Sequence, residues 1–316
     1  MMTYMVRRIL LFIPTLVMVS IIIFGMTRAL PGDAVDLMLE DSPHVRAEDR
    51  EALRDYFGLN DPIHIQYVIW MGQVVRGDFG KSLWTGSTIR EEMSERLPVT
   101  VQLSVMALGM SLLIALPLGI ISAVKQDSWV DHVARVSGIL ALSVPNFVLG
   151  TLALTYLALW FNWIPPIGYV SFFEDPWANF LQFILPASIL GASMAGSVSR
   201  MTRSTVLEVL RQDYVRTARA KGLSGDVVMR RHILRNALNP IITISALQLG
   251  GLLSGTLIIE VMFAMPGLGR LMFAGIIQRD YAMVQGIILF AALVFLAVNL
   301  LVDIIYKFVD PRIDYA

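Results

Sequence analysis

The sequence predicts an all-α integral membrane protein with six transmembrane helices and a small external subdomain between the first and second helices. Of its 316 residues, 56% are hydrophobic and 16% are charged, whereas soluble proteins carry about 25% charged residues. Uncharged runs close to the length of about 20 residues that a bilayer-spanning helix needs recur six times along the chain. Lysine and arginine are concentrated in alternate connections between these runs, which is typical of a multi-pass membrane protein.

The N-terminal region, residues 1–30, is predicted to contain a retained first span. Arg7 and Arg8 precede an uncharged run of 19 residues from Ile9 to Thr27. A signal peptide is the alternative, but its apolar core would be about 7–15 residues long. No small-x-small cleavage site follows the run, so a membrane anchor is favoured.

Residues 31–95 are interpreted as an external subdomain. The stretch Pro31–Arg96 holds seven basic and thirteen acidic residues, and long translocated loops follow the charge rule poorly. A helix-like pattern at Ala47–Phe57 leads into the turn Gly58–Pro62, and an aromatic stretch runs through Trp70. This pattern predicts a folded segment.

The other five spans fall within residues 96–307, and a tail of residues 308–316 follows. They are expected at about 98–123, 136–159, 178–199, 237–259 and 282–303. Prolines and glycines occur inside several of them, which packed membrane helices tolerate because their neighbours satisfy the freed backbone groups.

Small residues four positions apart predict close approach between the membrane helices. The pairs are Gly191 with Ala195 and Gly251 with Gly255. Packing within the subunit is favoured over dimerisation as their role.

The distribution of lysine and arginine predicts that both termini are cytoplasmic. The loop at 200–236, between the fourth and fifth spans, carries nine basic residues. The connection between the third and fourth spans carries none, and cytoplasmic loops are the ones rich in these residues.

The chemistry of catalysis is mostly missing from the sequence. The chain has no cysteine, which excludes disulfides and thiolate metal sites. Gly80-Lys81-Ser82 looks like the end of a phosphate-binding loop, but Val75 stands where the pattern needs glycine. We therefore expect no catalytic residue, no metal and no cofactor in this chain, and the stretch Gly80–Ser82 is a chance match.

Neutral polar residues are the candidates for a polar path through the membrane. They are Gln102, Asn146 and Gln248, and interhelical hydrogen bonds are the slightly favoured alternative role. Glu260 is expected at the outer end of the fifth span, and Asp303 near the inner end of the sixth with Lys307 as its helix partner. This pattern weakens a stand-alone proton-driven carrier, which would bury ionisable groups near mid-membrane.

The basic loop contains a predicted helix–glycine–helix element. Tyr214–Lys221 lacks glycine and proline and is rich in good helix formers. Gly222 stands at the expected C-cap, and Ser224 and Asp226 are expected to cap a second short helix. Composition alone leaves a docking surface and a solvated loop that only sets topology equally open.

This stretch resembles the cytoplasmic "EAA" loop of ABC-importer permeases, in the form found in peptide and nickel importers. The name-giving Glu-Ala-Ala is here Arg216-Thr217-Ala218, so the resemblance does not imply an acidic contact at that position, whereas Gly222 is retained. In that family the loop forms a coupling helix that docks on the ATPase. The coupling residues that the resemblance implies are Asp213, Tyr214, Arg216, Thr217, Ala218, Arg219, Ala220, Lys221, Gly222 and Leu223.

The likeness extends over nearly the whole chain, to the B-type permease of dipeptide, oligopeptide and nickel importers. Short motifs in the family's order and spacing carry it. They are Arg7-Arg8, Leu30-Pro31-Gly32-Asp33, Gly77-Asp78-Phe79-Gly80-Lys81-Ser82, Arg96-Leu97-Pro98-Val99-Thr100, Ser143-Val144-Pro145-Asn146-Phe147, Pro266-Gly267-Leu268-Gly269-Arg270, Arg279-Asp280-Tyr281 and Asp310-Pro311-Arg312.

The resemblance implies a type I ABC importer permease fold over residues 96–307 and a non-catalytic role. The implied partners are a homologous C-type permease, two cytoplasmic ATPases that hydrolyse ATP with Mg²⁺, and an external substrate-binding protein that meets the 31–95 segment. Di- or oligopeptides are the expected substrates, and nickel or glutathione are the alternatives. The implied location is the inner membrane of a bacterium or archaeon. A stand-alone peptide carrier and a membrane-bound enzyme are the rival classes.

Overall fold

The computed structural model describes residues 2–29, 35–36, 47–56, 58–82, 84–166 and 168–309. The motifs at 30–33 and 310–312 lie outside these ranges, as do the side chains of Asp303 and Lys307. All regular elements within the described ranges are helical. They are α1 (Met2–Ala29), α2 (Ala47–Tyr56), α3 (Ile63–Val75), α4 (Ile89–Val124), α5 (Trp129–Ser143), α6 (Asn146–Phe161), α7 (Pro176–Leu210), α8 (Asp213–Ala220), one turn at Gly225–Val227, a π-helix at Val228–Leu234, α9 (Arg235–Gly255), α10 (Leu257–Met262), α11 (Leu268–Ile277) and α12 (Tyr281–Val309).

Five described helical stretches are long and apolar enough to cross a membrane, and the pair α5 and α6 makes a sixth if it is one broken span. The predicted span at 136–159 is therefore not a single straight helix, because α5 and α6 meet at an angle of 94°. Val144 is extended, with φ −91° and ψ 119°. Pro145 follows it, and a residue that precedes proline is pushed out of the helical region.

The chain divides into two compact units, Met1–Val99 with Pro266–Leu296 and Thr100–Met265 with Ala297–Ala316. The core of the first unit contains Ile89 and Met93 at the start of α4, Leu268 and Leu271 of α11, and Met283 of α12. Helices α11 and α12 therefore converge on the N-terminal end of α4.

Helix α7 is the centre of the second unit. Glycines allow neighbouring backbones to approach it: a Cβ on Gly191 would lie 2.8 Å from the carbonyl oxygen of Ala107 in α4. A Cβ on Gly196 would lie 2.5 Å from the carbonyl oxygen of Gly138 in α5. The close approach predicted at Gly191 is present, whereas a Cβ on Gly251 would meet nothing within 4 Å.

Candidate functional site

Helix α8 is a short amphipathic helix held by only two of its side chains. Val215 and Ala218 are buried, and the other six residues of the helix are exposed. Asp213 lies in the first turn and Arg219 in the last, an arrangement that the helix dipole favours at both ends. Of the ten coupling residues implied by the sequence, nine are exposed, and Ala218 is the one that faces the interior.

The end of α8 is fixed by a glycine in the left-handed conformation. Gly222 has φ +79°, its N–H donates to the carbonyl of Arg219 at 2.9 Å, and the N–H of Leu223 donates to the carbonyl of Ala218 at 3.4 Å. This pair of hydrogen bonds defines a Schellman motif. The predicted C-cap function of Gly222 is therefore realised one position later, at C′, after the C-cap residue Lys221.

The buried side of α8 belongs to the core of the second unit. Val215 and Ala218 lie in one hydrophobic cluster with Val206 and Val209 at the end of α7, and with Ile233 of the π-helix. Helix α8 therefore shares one hydrophobic core with the helices that precede and follow it. Helix α7 itself continues to Leu210, beyond the predicted span at 178–199.

The second short helix predicted after Gly222 is a single helical turn followed by a π-helix. Ser224 is at the N-cap of the turn Gly225–Val227, but its side chain makes no capping hydrogen bond. The chain then continues as a π-helix, Val228–Leu234. Such π segments are rare and often lie at functional sites.

A buried ion pair ties α5 to α7 close to α8 in sequence. The Arg203 guanidinium donates from Nε to Oδ1 of Asp131 and from Nη2 to Oδ2, both at 2.8 Å. Asp131 is fully buried, and it also accepts from the Ser122 hydroxyl and from the backbone N–H of Asp127 at 3.0 Å. The carboxylate is thus fully bonded and holds three segments of the chain together.

The exposed surface of α8 has short side chains at its centre and basic side chains at its edges. The 3.6-residue period puts Asp213, Thr217 and Ala220 on the face opposite Val215 and Ala218. Arg216, Arg219 and Lys221 supply the exposed positive charge around it. Nη1 of Arg216 lies 3.6 Å from Oδ1 of Asp213, but both side chains are mostly exposed. This ion pair therefore contributes little to stability.

The three predicted path residues are not brought into one cluster by their hydrogen bonds. Gln102 and Asn179 bond each other through both groups of their amides, which links α4 to α7. Gln248 donates to the carbonyl oxygen of Met194 at 3.4 Å. Among the described residues, Oδ1 of Asn146 has no hydrogen-bond partner.

Two motifs quoted from the sequence meet in the first unit. The Ser82 hydroxyl donates to Oδ2 of Asp280 at 2.6 Å, and both residues are buried. Trp84 Nε1 donates to the carbonyl of Gln278 at 2.8 Å. The Ser82 hydroxyl, which ends the chance match to a phosphate-binding loop, therefore joins two distant parts of the chain.

Sequence reasoning missed Asp131 and the burial of Glu260. Asp131 stands 72 residues from Arg203, and nothing local in the sequence connects them. Glu260 is fully buried and accepts hydrogen bonds from Thr100 at 2.7 Å and Thr256 at 2.8 Å. A lone acidic residue among apolar neighbours was the only available signal.

Two family models match nearly all of the chain. The binding-protein-dependent transport system inner membrane component matches residues 115–315, and the N-terminal model of the same component matches residues 1–104.

Several permeases are similar to this chain over their full length. The oligopeptide transport system permease protein of Bacillus subtilis is 37% identical, with 99% of each chain covered. The dipeptide transport system permease protein of Alkalihalophilus pseudofirmus is 37% identical, with 100% of each covered. The glutathione transport system permease protein of Salmonella choleraesuis is 36% identical, also with 100% of each covered.

A similar solved structure, the MetNI methionine ABC transporter, supports the fold. It aligns with a TM-score of 0.57 and 16% identity, covering 69% of this chain and 96% of that one. At this identity the likeness concerns the fold alone. With the full-length family matches, the chain belongs to the binding-protein-dependent transport system inner membrane component family and is a membrane-spanning permease subunit of an ABC importer.

Proposed function

We propose that this chain is the B-type half of a heterodimeric permease that imports di- or oligopeptides. It pairs with a C-type permease, receives substrate from an external binding protein, and docks two cytoplasmic ATPases. Both of its termini are cytoplasmic. The observation that carries the proposal is helix α8, which presents six exposed candidate residues while Val215 and Ala218 anchor it to the core, with three more exposed candidates, Lys221, Gly222 and Leu223, directly after it.

Helix α8 is the element through which the ATPases act on this subunit. The partner ATPases bind and hydrolyse ATP with Mg²⁺, and this chain binds no nucleotide or cofactor of its own. To move a two-state equilibrium from 1:99 to 99:1, a partner must bind one state more tightly than the other by about 5.5 kcal/mol of binding free energy. That free energy reaches the spans through Val215 and Ala218 into α7, and through Gly222 into the π-helix.

Peptides are the proposed substrates because curated relatives are named for dipeptides and oligopeptides. A glutathione permease is among them at nearly the same identity, so glutathione is the second candidate, and nickel is the third. Specificity in such systems resides largely in the binding protein, so the substrate is read from that partner.

Photocrosslinking tests the docking role of α8. Tyr214 is 42% exposed on α8, and Tyr169 is 38% exposed between α6 and α7. Each is replaced by p-benzoylphenylalanine, which preserves an aromatic ring at that position. We expect irradiation of membranes to join the ATPase to position 214 and leave position 169 unlinked. An ATPase crosslink of equal yield at both positions, or at neither, contradicts the docking role.

Gentle extraction of the tagged chain tests the assembly and the substrate. We expect mass spectrometry to identify a second permease, two ATPases and a binding protein that carries peptide. A bound metal chelate or glutathione would redirect the substrate assignment. A chain that emerges alone from several mild detergents would instead favour the stand-alone carrier.

A further inference from the structure

Helix α3 has the composition of a membrane segment although it is too short to cross a bilayer. Its 13 residues, Ile63–Val75, include no Asp, Glu, Lys or Arg. At a rise of about 1.5 Å per residue, it extends about 20 Å, against about 30 Å for the hydrocarbon core of a bilayer. An apolar segment of this length, inside a chain, is typical of a buried core helix or of a re-entrant or interfacial membrane segment.

The outward side of α3 is apolar, where a helix in water would carry its polar residues. None of its residues is buried, and Ile65, Val68 and Ile69 are all exposed. The 3.6-residue period puts these three on one side, away from Tyr67 and Trp70. An exposed apolar surface of this kind marks contact with protein or with a membrane.

The neighbouring helix α2 shows the contrast. Its ten residues, AEDREALRDY, include six charged ones. Both helices belong to the segment predicted to be external, yet only α2 has the surface of a helix in water. The surfaces of the two helices are therefore suited to different surroundings, water for α2 and an apolar medium for α3.

Helix α3 packs along α1, which is itself a candidate span of mean hydropathy 2.4. Phe24 of α1 lies 5.5 Å from Tyr67 and 5.5 Å from Trp70, measured between ring centroids. The hydroxyls of Ser20 and Tyr67 are 2.8 Å apart. Leu10, Ile13, Met18, Ile22 and Met26 of α1 expose apolar side chains, so the surface of α3 continues a surface that a bilayer covers.

An apolar cavity of about 340 Å³ separates α3 from α1 and α12. All of its lining side chains are hydrocarbon, aromatic or thioether: Ile13, Leu16, Val17, Met71, Val74, Val75, Phe79, Leu289, Phe290 and Leu293. Two of the three helices around it are candidate spans. In such surroundings the available filling is a hydrocarbon chain, because water would find no hydrogen-bonding partner there.

We propose that α3 is immersed in one leaflet of the bilayer and that the cavity between α3, α1 and α12 holds a phospholipid acyl chain. The leaflet is the outer one, in the orientation proposed above. A protein partner on α3 is the competing possibility, and the experiment below separates it from lipid. The immersion of α3 and the acyl-chain site do not involve the ATPase or the transported substrate, so they stand or fall independently of the proposed function; the choice of leaflet alone rests on the orientation proposed there.

Spin labelling tests the immersion of α3. The chain has no cysteine, so Val68→Cys and Glu51→Cys each give one labelling site, on α3 and α2 respectively. The labelled importer is reconstituted in vesicles of phosphatidylethanolamine and phosphatidylglycerol, and collisions are measured with oxygen and with a water-soluble nickel chelate. We expect oxygen to dominate at position 68 and the nickel chelate at position 51.

Either of two other results would overturn the immersion. Access of the nickel chelate to position 68 equal to that at position 51 would show that α3 faces water. Exclusion of both reagents from position 68 would show that a protein covers it.

Filling the cavity tests the acyl-chain site. Val74→Trp adds an indole to the cavity, and Val68→Trp makes the same change outside it on the same helix. We expect the importer purified in mild detergent to retain at least about tenfold less phospholipid at this site in Val74→Trp, the factor that 1.4 kcal/mol represents, and Val68→Trp to match the wild type. Leu293→Trp, which fills the cavity from α12, replaces Val74→Trp if that variant is not monodisperse. Phospholipid retention unchanged in a monodisperse cavity-filling variant would exclude the acyl-chain site.

Discussion

At the scale of single residues, Gly222 is the position on which the geometry of the proposed coupling element depends. Its φ of +79° is one that side-chain-bearing residues adopt at a cost of about 1–2 kcal/mol. A Cβ there would meet no atom within 4 Å, so the cost comes from the backbone alone. Gly225 is a matched position, since it is equally open and has no positive φ.

We expect Gly222→Val to lower substrate uptake by up to about tenfold, because a cost of about 1.4 kcal/mol corresponds to that factor. Gly225→Val is expected to leave uptake near the wild-type rate. Gly222→Pro is expected to abolish uptake, because it also removes the N–H that donates to Arg219. Uptake is measured in cells with the amount of inserted protein matched by immunoblot. Equal uptake by Gly222→Val and Gly225→Val would refute this role.

The ion pair between Asp131 and Arg203 gives a second prediction at this scale. Arg203→Met leaves a buried carboxylate without its main partner, which typically costs about 3–5 kcal/mol. We expect a lower melting temperature of the purified importer, and Arg200→Met, at an exposed position on the same helix, to change it little.

The double variant Asp131→Leu with Arg203→Met serves as the control for charge burial. It removes both charges, so we expect its melting temperature to recover towards the wild-type value. A melting temperature as low as that of Arg203→Met alone would show that the pair does not act as a charged unit.

Residue-level chemistry was predictable where it is local and hidden where it is not. The α8 helix and the cap function of Gly222 follow from a short window of sequence, because helix propensity and positive φ are local properties. The bonds from Arg203 to Asp131 and from Asn179 to Gln102 join residues 72 and 77 positions apart. No periodicity in the chain marks such pairs.

At the scale of elements, α7 is the helix that most limits substitution. A Cβ on Gly196 would approach the Gly138 carbonyl to 2.5 Å, whereas one on Gly251 of α9 would meet open space. Gly196→Val is therefore expected to destabilise the importer by about 1–3 kcal/mol through overpacking. Gly251→Val makes the same change in helix propensity without the contact, and it should raise or preserve the melting temperature. Equal melting temperatures for the two variants would contradict the packing argument.

The broken span marks the limit of counting uncharged residues. Hydropathy predicted one span at 136–159, and the structure has two helices at 94°. Hydropathy measures the tendency to leave water and is insensitive to direction, while Pro145 acts on the backbone of Val144. The number of apolar stretches was therefore predictable, and the path of the chain through them was not.

At the scale of the whole molecule, the energy source separates the proposed importer from a stand-alone carrier. Proteoliposomes that contain the complete complex and ATP on the ATPase side are treated with a protonophore. We expect uptake of peptide to persist, because the driving free energy is ATP hydrolysis in the partner subunits. Uptake that stops with the proton gradient, and continues without the ATPases, would support the carrier instead.

The way α8 is attached has a consequence for interchangeability. Because only Val215 and Ala218 point into the core, the remaining positions of the helix can be rewritten without altering what the rest of the chain packs against. Exchanging the exposed residues for those of another permease should therefore allow this subunit to dock the ATPase of that other importer. In the docking role proposed for α8, the specificity of the subunit for its ATPase can therefore be changed without changing the packing of the rest of the chain.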